Sequence, residues 1–352
     1  MKLSSILVGL PLLVTDLASG YANPEKCKGI CGNAHDPSII RRDEDSKYFR
    51  FSTGRTICVY TAPDLTGPWK DMGNVLPHGS KVKLKGQRMF WAPDVQKVGD
   101  MYYLYYSLSS YKSQNSAIGL ARSKTMDIGT WTDVGSVGIT SDSSKQYNAI
   151  DPNLFKDNDQ YYLNFGSSWL GIHQVQMDSD PTKLAVNVVP QQSAFTLNNE
   201  VREGAYEFAY KGYYYLFFSQ GICCELDKKK PAKGKEYRIL VCRSKSPTAE
   251  FVDKNGIDCR KDGGSVVLES HDHVYAPGGQ GVYKDPKYGP VLYYHYVDTR
   301  VGYADSDKLF GWNKLDFSSG WPVVKSLKDS GKCNSSRGRV EPNQVFSSEQ
   351  SP

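Results

Sequence analysis

Beyond its first two dozen residues this chain has no apolar run of the roughly 18 residues that a membrane-spanning helix needs. It has no Gly-X-Y or heptad repeat, which excludes a collagen-like chain or a coiled coil. Long helical amphipathic patterns are also missing. Charge of one sign is scarce, with 43 Lys and Arg against 38 Asp and Glu and a net of +5. The one dense basic cluster, Lys228-Lys229-Lys230 with Lys233 and Lys235, reads as a solvated loop, and nothing matches a nucleic-acid module. No pair of CxxC motifs exists, so a zinc site is not expected. What is present is tyrosine, 24 in 352 residues within 12% aromatics, enough apolar surface to exclude disorder for the bulk of the chain.

The two ends read differently from the middle. Residues 1–22 carry Lys2, an apolar stretch over 6–14 and the small residues Ala18-Ser19-Gly20, the pattern of a signal peptide cut at about 18–22. The expected location is therefore secreted and extracellular. The eight cysteines (27, 31, 58, 223, 224, 242, 259 and 333) then read as disulfides, with no pairing fixed by sequence. Residues 326–352 hold Ser, Gly and charge, the sequon at Asn334 and little to bury, and read as a flexible tail. That leaves 23–325 as one domain.

Within it the aromatics cluster at 48–52, 102–107, 161–166, 213–219 and 292–296, five copies roughly 50 to 80 residues apart. Upstream of each lies a short segment with a carboxylate, Pro or Gly: His35-Asp36-Pro37, Trp91-Ala92-Pro93-Asp94, Ile150-Asp151-Pro152, Arg202-Glu203-Gly204-Ala205 and Ala276-Pro277-Gly278-Gly279. Another strand-like segment follows, as in Ile118-Gly119-Leu120-Ala121-Arg122 and Ile239-Leu240-Val241-Cys242-Arg243. Three or four short strands per unit, repeated five times, predict an all-β, five-bladed β-propeller whose innermost strands line a central channel. A β-sandwich would leave the repeat without a cause.

Three of the upstream segments carry an acid at what sequence reads as the same place: Asp36, Asp151 and Glu203. A lone Asp-Pro opens a turn. Three acids converging on one channel repel, which raises the pKa of one member and suits acid–base chemistry. Paired carboxylates amid many aromatics point to sugar cleavage.

As an ordered set, His35-Asp36-Pro37-Ser38, Trp91-Ala92-Pro93-Asp94-Val95, Asn148-Ala149-Ile150-Asp151-Pro152, Glu203-Gly204-Ala205 and the strand 213–219 followed by Cys223-Cys224 resemble glycoside hydrolase family 43 over about residues 30–325, most nearly its fungal endo-1,5-α-L-arabinanases. The resemblance implies a five-bladed propeller and an inverting hydrolase acting on arabinan polysaccharide. It implies Asp36 as general base, Glu203 as general acid and Asp151 as the group that orients that acid and holds its pKa up. Glu207, four residues on, would share a strand face with Glu203 and is the rival acid. His35, Trp91, Asp94, Asn148, Asn164, Ser167, Ser168 and Trp169 are the candidate substrate-binding residues, with packing or turn chemistry an equally good account of each. Bacterial relatives place an ion-binding His in a Pro-Gly-His stretch. Here the stretch runs Tyr275-Ala276-Pro277-Gly278-Gly279-Gln280, which leaves Gln280, His295 or His273 as stand-ins. No cofactor is required on this reading, no metal ligand is assigned, and a structural cation in the channel stays open. A monomer is expected, with no nucleic-acid or membrane partner. The alternatives are an exo-acting arabinofuranosidase or β-xylosidase of the same family, and a non-catalytic sugar-binding propeller.

Overall fold

The computed structural model describes residues 20–328 except 86–88 and 199. Most of the expected signal segment and tail therefore lies outside the described residues.

Among the described residues, twenty strands form five four-stranded antiparallel sheets, each built from one contiguous stretch of chain. Blade 1 holds β1 (Ser38–Arg41), β2 (Tyr48–Ser52), β3 (Cys58–Ala62) and β4 (Lys70–Asn74). Blade 2 holds β5 (Met89–Val98), β6 (Met101–Ser109), β7 (Ser116–Ser123) and β8 (Thr132–Ser141). Blade 3 holds β9 (Asn153–Asp157), β10 (Gln160–Phe165), β11 (Ile172–Gln176) and β12 (Gln191–Ala194). Blade 4 holds β13 (Arg202–Tyr210), β14 (Tyr213–Gln220), β15 (Arg238–Ser244) and β16 (Ser265–Leu268). Blade 5 holds β17 (Val274–Asp285), β18 (Gly289–Asp298), β19 (Leu309–Asp316) and β20 (Val323–Lys325). The five-bladed propeller is as the repeat predicts.

Each aromatic cluster is the second strand of its blade. Such a strand has a neighbour on both edges and a blade on both faces. Its side chains are therefore buried on both sides, and it reads as a near-continuous apolar run. In β2 every residue is buried, and in β6 all but the first. The core is correspondingly five separate interfaces. Phe49 and Phe51 meet Phe90 and Leu104 between blades 1 and 2. Tyr105 and Ile118 meet Leu163 and Phe165 between blades 2 and 3. Ile172 and Ala194 meet Leu216 and Phe218 between blades 3 and 4. Tyr215 and Phe217 meet Leu292 and Tyr294 between blades 4 and 5. Blade 5 packs back on blade 1 through Tyr293, Phe310 and Trp312 against Tyr48 and Tyr60. The segment ahead of β1 strengthens that last contact, since Phe310 N–H donates to Cys31 C=O and Glu25 N–H to Trp312 C=O.

Disulfides join Cys27 to Cys31, Cys223 to its neighbour Cys224, and Cys242 to Cys259. Cys58 is buried as a free thiol, and Cys333 lies outside the described residues. The lysine cluster sits in the exposed β14–β15 loop, where Lys228 pairs with Glu225 and Lys235 with Glu200. From the expected tail, Leu327 packs against the blade 5–blade 1 core, and its N–H donates to Glu25.

Candidate active site

The entrance of each innermost strand, just before it or within its first half, has a residue in the left-handed backbone region: Asp36 (φ 45°), Ala92 (φ 40°), Asp151 (φ 56°), Gly204 (φ 61°) and Gly279 (φ 56°), with Ala276 (φ 50°) a second one in β17. The first five and the residues after them, Pro37, Pro93, Pro152, Ala205 and Gln280, line a single cavity on the propeller axis. Glycine takes this conformation without cost. For Asp36, Ala92 and Asp151 it costs about 1–2 kcal/mol each, and the following proline restricts them further. Strain of this kind persists only where the surroundings hold it, and it gathers at functional sites.

What holds it is a circle of hydrogen bonds from each entrance to the preceding blade. Ala92 N–H donates to Thr53 Oγ1 (2.7 Å), Asp151 N–H to Ser107 Oγ (2.9 Å), Gly204 N–H to Asp151 Oδ2 (3.1 Å) and Gly279 N–H to Ser219 Oγ (3.0 Å). Asp36 N–H closes the circle by donating to His295 Nδ1 of blade 5 (3.0 Å).

This geometry corrects two alignments read from sequence. Glu203 is not level with Asp36 and Asp151 but one residue earlier, level with His35 and Ile150. In blade 5 the entrance that lines the cavity is Gly279 rather than Ala276, because β17 carries two register shifts between Tyr275 and Gly281. A side chain at 279 has no room. A Cβ there would come within 2.5 Å of Asp36 Oδ1 and 2.6 Å of His295 Nδ1, so the His295 imidazole fills that space from the neighbouring strand.

The three acids are electrostatically unlike. Removal from water raises the Asp36 pKa, but His35, His295 and Lys308 outweigh it, and the carboxyl ends well below its ordinary value. Its Oδ2 lies 2.7 Å from His35 Nδ1 and accepts from Thr53 Oγ1 at 2.9 Å. Asp151 is pushed well above its ordinary value by burial, then by Glu203 and Asp36, with only the Gly204 N–H opposing. Glu203 is also raised, chiefly by burial and further by Asp36. Two hydroxyls hold it, Ser167 Oγ at 2.5 Å from Oε2 and Tyr237 OH at 2.9 Å from Oε1. One carboxyl held toward its charged form and two pushed toward their protonated forms therefore lie together, Asp36 and Asp151 on the cavity wall and Glu203 beside Gly204.

The other expected residues divide. His35 and Ser167 touch the acids directly. Asp94 lines the cavity, accepts from Leu154 N–H and is pushed up to about 7 by burial. Trp91 immediately precedes the blade 2 entrance. Asn148 is buried and accepts from Ser141 Oγ (3.2 Å). Ser168 lies within 3.5 Å of Ser167, and Trp169 is 41% exposed beside it. Asn164 is the exception. It is fully buried in β10 and donates to Glu207 Oε2 (3.1 Å), so it holds the core between blades rather than a sugar. Glu207 is no rival acid. A bulge between Glu203 and Tyr206 adds one residue to β13, which turns Glu207 to the other face, where Gln174 and Asn164 donate to it.

Sequence reasoning missed Tyr237, Lys308, Thr53, Ser107 and Ser219. The last three had a signal, since the aromatic clusters end in Ser or Ser-Thr. Tyr237 and Lys308 had none.

Among the described residues, donor atoms of His35, Asp36 and His295 gather within 4.8 Å, as do those of His35, Cys224 and Asp305. Neither set fits a cation. The His295 Nδ1 lone pair faces Asp36 N–H, Cys224 is locked in a disulfide, and the Lys308 ammonium already stands 2.6 Å from His35 Nε2. Gln280 is committed too, its Oε1 accepting from Ser219 and its Nε2 donating to Gly204 C=O. His273 is absent from the cavity lining.

With this geometry in hand, comparison with known proteins is informative. The model of Glycosyl hydrolases family 43 matches residues 30–322. A probable arabinan endo-1,5-alpha-L-arabinosidase A from Emericella nidulans is 58% identical over 326 residues, covering 92% of this chain and 100% of the relative. The arabinan endo-1,5-alpha-L-arabinosidase A of Aspergillus aculeatus is 56% identical over 321 residues, covering 91% and 99%. The solved GH43 endo-arabinanase of Bacillus licheniformis superposes with a TM-score of 0.74 at 31% identity, over 85% of this chain and 99% of that one.

Proposed function

This chain belongs to glycosyl hydrolase family 43, and we propose that it is a secreted, inverting hydrolase of internal α-1,5-L-arabinofuranosidic bonds in the arabinan of plant cell-wall pectin. The observation that carries the mechanism is the unlike setting of the channel acids, Asp36 against the His35 imidazole and Thr53 hydroxyl and Glu203 buried between two hydroxyls. Where environments push neighbouring carboxyls apart, the acid and the base are assigned. Asp36, held ionised, takes a proton from a water whose oxygen bonds to the anomeric carbon. Glu203, which retains its proton, gives it to the glycosidic oxygen as the carbon–oxygen bond breaks. Asp151, whose Oδ2 accepts from the Gly204 N–H next to Glu203, orients that acid. Attack and departure on opposite faces invert the anomeric centre.

The substrate reading is supported by the relatives' activity. Export is supported by the pattern of residues 1–22 and by the three disulfides, which persist in oxidising surroundings.

Two measurements test the proposal. Glu203→Gln should lower kcat by about 10²–10⁴-fold, the range for losing a general acid, with the fold retained. Full activity in that variant removes Glu203 as the acid. Digestion of linear arabinan, branched arabinan and xylan, with the first products followed by NMR, should give arabino-oligosaccharides of inverted anomeric configuration from linear arabinan. Monosaccharide alone from the earliest time points supports the exo-acting alternative.

A further inference from the structure

Lys308 is 1% exposed, an unusual place for an ammonium. It follows the 3-10 turn Asp305–Asp307 and precedes β19, and its backbone C=O accepts from Ala34 N–H, next to His35. Its Nζ lies 2.6 Å from His35 Nε2, 3.1 Å from Asp305 Oδ1 and 3.8 Å from Cys224 Sγ. Burying a charge is costly, and apolar residues of similar volume often replace a buried ion pair at no loss of stability. Stability alone is a poor reason for a lysine here.

We propose that Lys308 is a positioning residue for the general base, acting by fixing the tautomer of His35. An ammonium has three donors and no acceptor. His35 Nε2 beside it must therefore accept, which leaves the imidazole proton on Nδ1. That N–H points at Asp36 Oδ2, 2.7 Å away. With Thr53 Oγ1 donating to the same oxygen, Oδ2 is occupied and Oδ1 is the oxygen left to take the proton from water. The opposite tautomer would set a lone pair against the carboxylate and turn the base away. Lys308 touches neither water nor sugar in this scheme. It acts through His35, as outer partners of a working imidazole do.

Burial holds the Lys308 pKa below its ordinary value, with Asp305 and then Asp36 and Glu203 opposing. The ion pair with Asp305 is the geometric mark of the ammonium form. Burial first, and then the Lys308 charge, push His295 opposite well below its ordinary value. The vicinal disulfide supplies the remaining wall and carries no charge.

The proposal rests on Asp36 being the base, and the test separates the two. Full-length protein labelled with ¹⁵N-histidine should show His35 protonated on Nδ1 with an acceptor-type Nε2. Lys308→Met should release that tautomer, lower kcat roughly ten- to a hundred-fold, as outer-shell partners of a working imidazole do, and raise the acid limb of the pH profile, with KM little changed. Asp305→Asn, which loosens the ammonium's anchor, should do the same to a smaller degree. A native His35 protonated on Nε2 overturns the proposal, even if Lys308→Met fails to fold. A folded Lys308→Met with unchanged kcat and acid limb overturns it as well. An active Asp36→Asn would instead overturn the reading beneath it.

Discussion

The entrances of blades 1 and 3 carry the same residue in the same backbone state and give it opposite character. Asp36 and Asp151 both precede a proline, both have φ near 50° and both line the axial cavity. Around Asp36 stand His35, His295 and Lys308, and the carboxyl is held ionised. Asp151 is buried with Glu203 and Asp36 around it, and its carboxyl is pushed well above its ordinary value. The repeat supplies the position and the fixed geometry. Burial raises both carboxyls, and the role is set by what opposes it, His35 above all at Asp36 and only the Gly204 N–H at Asp151.

The largest effect should come from removing the charge on the blade 1 side. Asp36→Asn is expected to cost about 10³-fold in kcat, within the range for a lost general base. It should also destabilise the protein at neutral pH. The folded pKa of Asp36 lies below the unfolded value of about 3.9, so its contribution is complete above that value and disappears as pH falls through the folded one. Chemical denaturation at pH 7 and pH 3, beside kcat, checks both.

Asp151→Asn should behave in the contrary way. A smaller loss of kcat is expected, about 10²-fold. KM should change little, because Glu203 loses the neighbour that orients it through Gly204 while the cavity wall stays in place. Stability should rise. A raised folded pKa contributes stability below the unfolded value, and that contribution is lost as pH climbs through the folded value. The variant should thus melt above the wild type at pH 8 and draw level near pH 4. A variant less stable at pH 8 would break the contrast between the two entrances.

The smallest effect concerns the backbone state they share. Ala92 has the same left-handed φ with no carboxylate to justify it. Ala92→Gly exchanges strain of about 1–2 kcal/mol for the entropic cost of glycine, about 0.5–1 kcal/mol. A modest rise in melting temperature should result, and no rise would show that the circle of hydrogen bonds bears the conformation without strain.

Much of this architecture was legible because propeller strands repeat. The second strand of each blade is buried on both faces, so its aromatic run stands out in any copy. The acids were legible because proline and glycine mark the entrances. Register was not. A bulge in β13 turns Glu207 away from Glu203, and Glu203 stands one place before Gly204, the residue level with Asp36 and Asp151. Two shifts in β17 displace the blade 5 entrance from Ala276 to Gly279. A bulge is set by backbone pairing with the next strand, which no local pattern displays. Lys308 was further out of reach, since it is 273 residues from the histidine it meets.

The circle has one link unlike the rest. The chain runs from blade 1 to blade 2 and onward in order, so a covalent connection crosses every junction except that of blade 5 with blade 1. There Asp36 and His35 stand on one side and His295 and Lys308 on the other. The general base meets its partners across the one seam that no strand-to-strand connection ties. Ring closure and catalytic competence are therefore a single event. A molecule with all five blades formed but that seam ajar would keep its β-structure while losing the His295 and Lys308 contacts that fix Asp36 and His35 in place, which makes turnover a more sensitive gauge of closure than any measure of strand content.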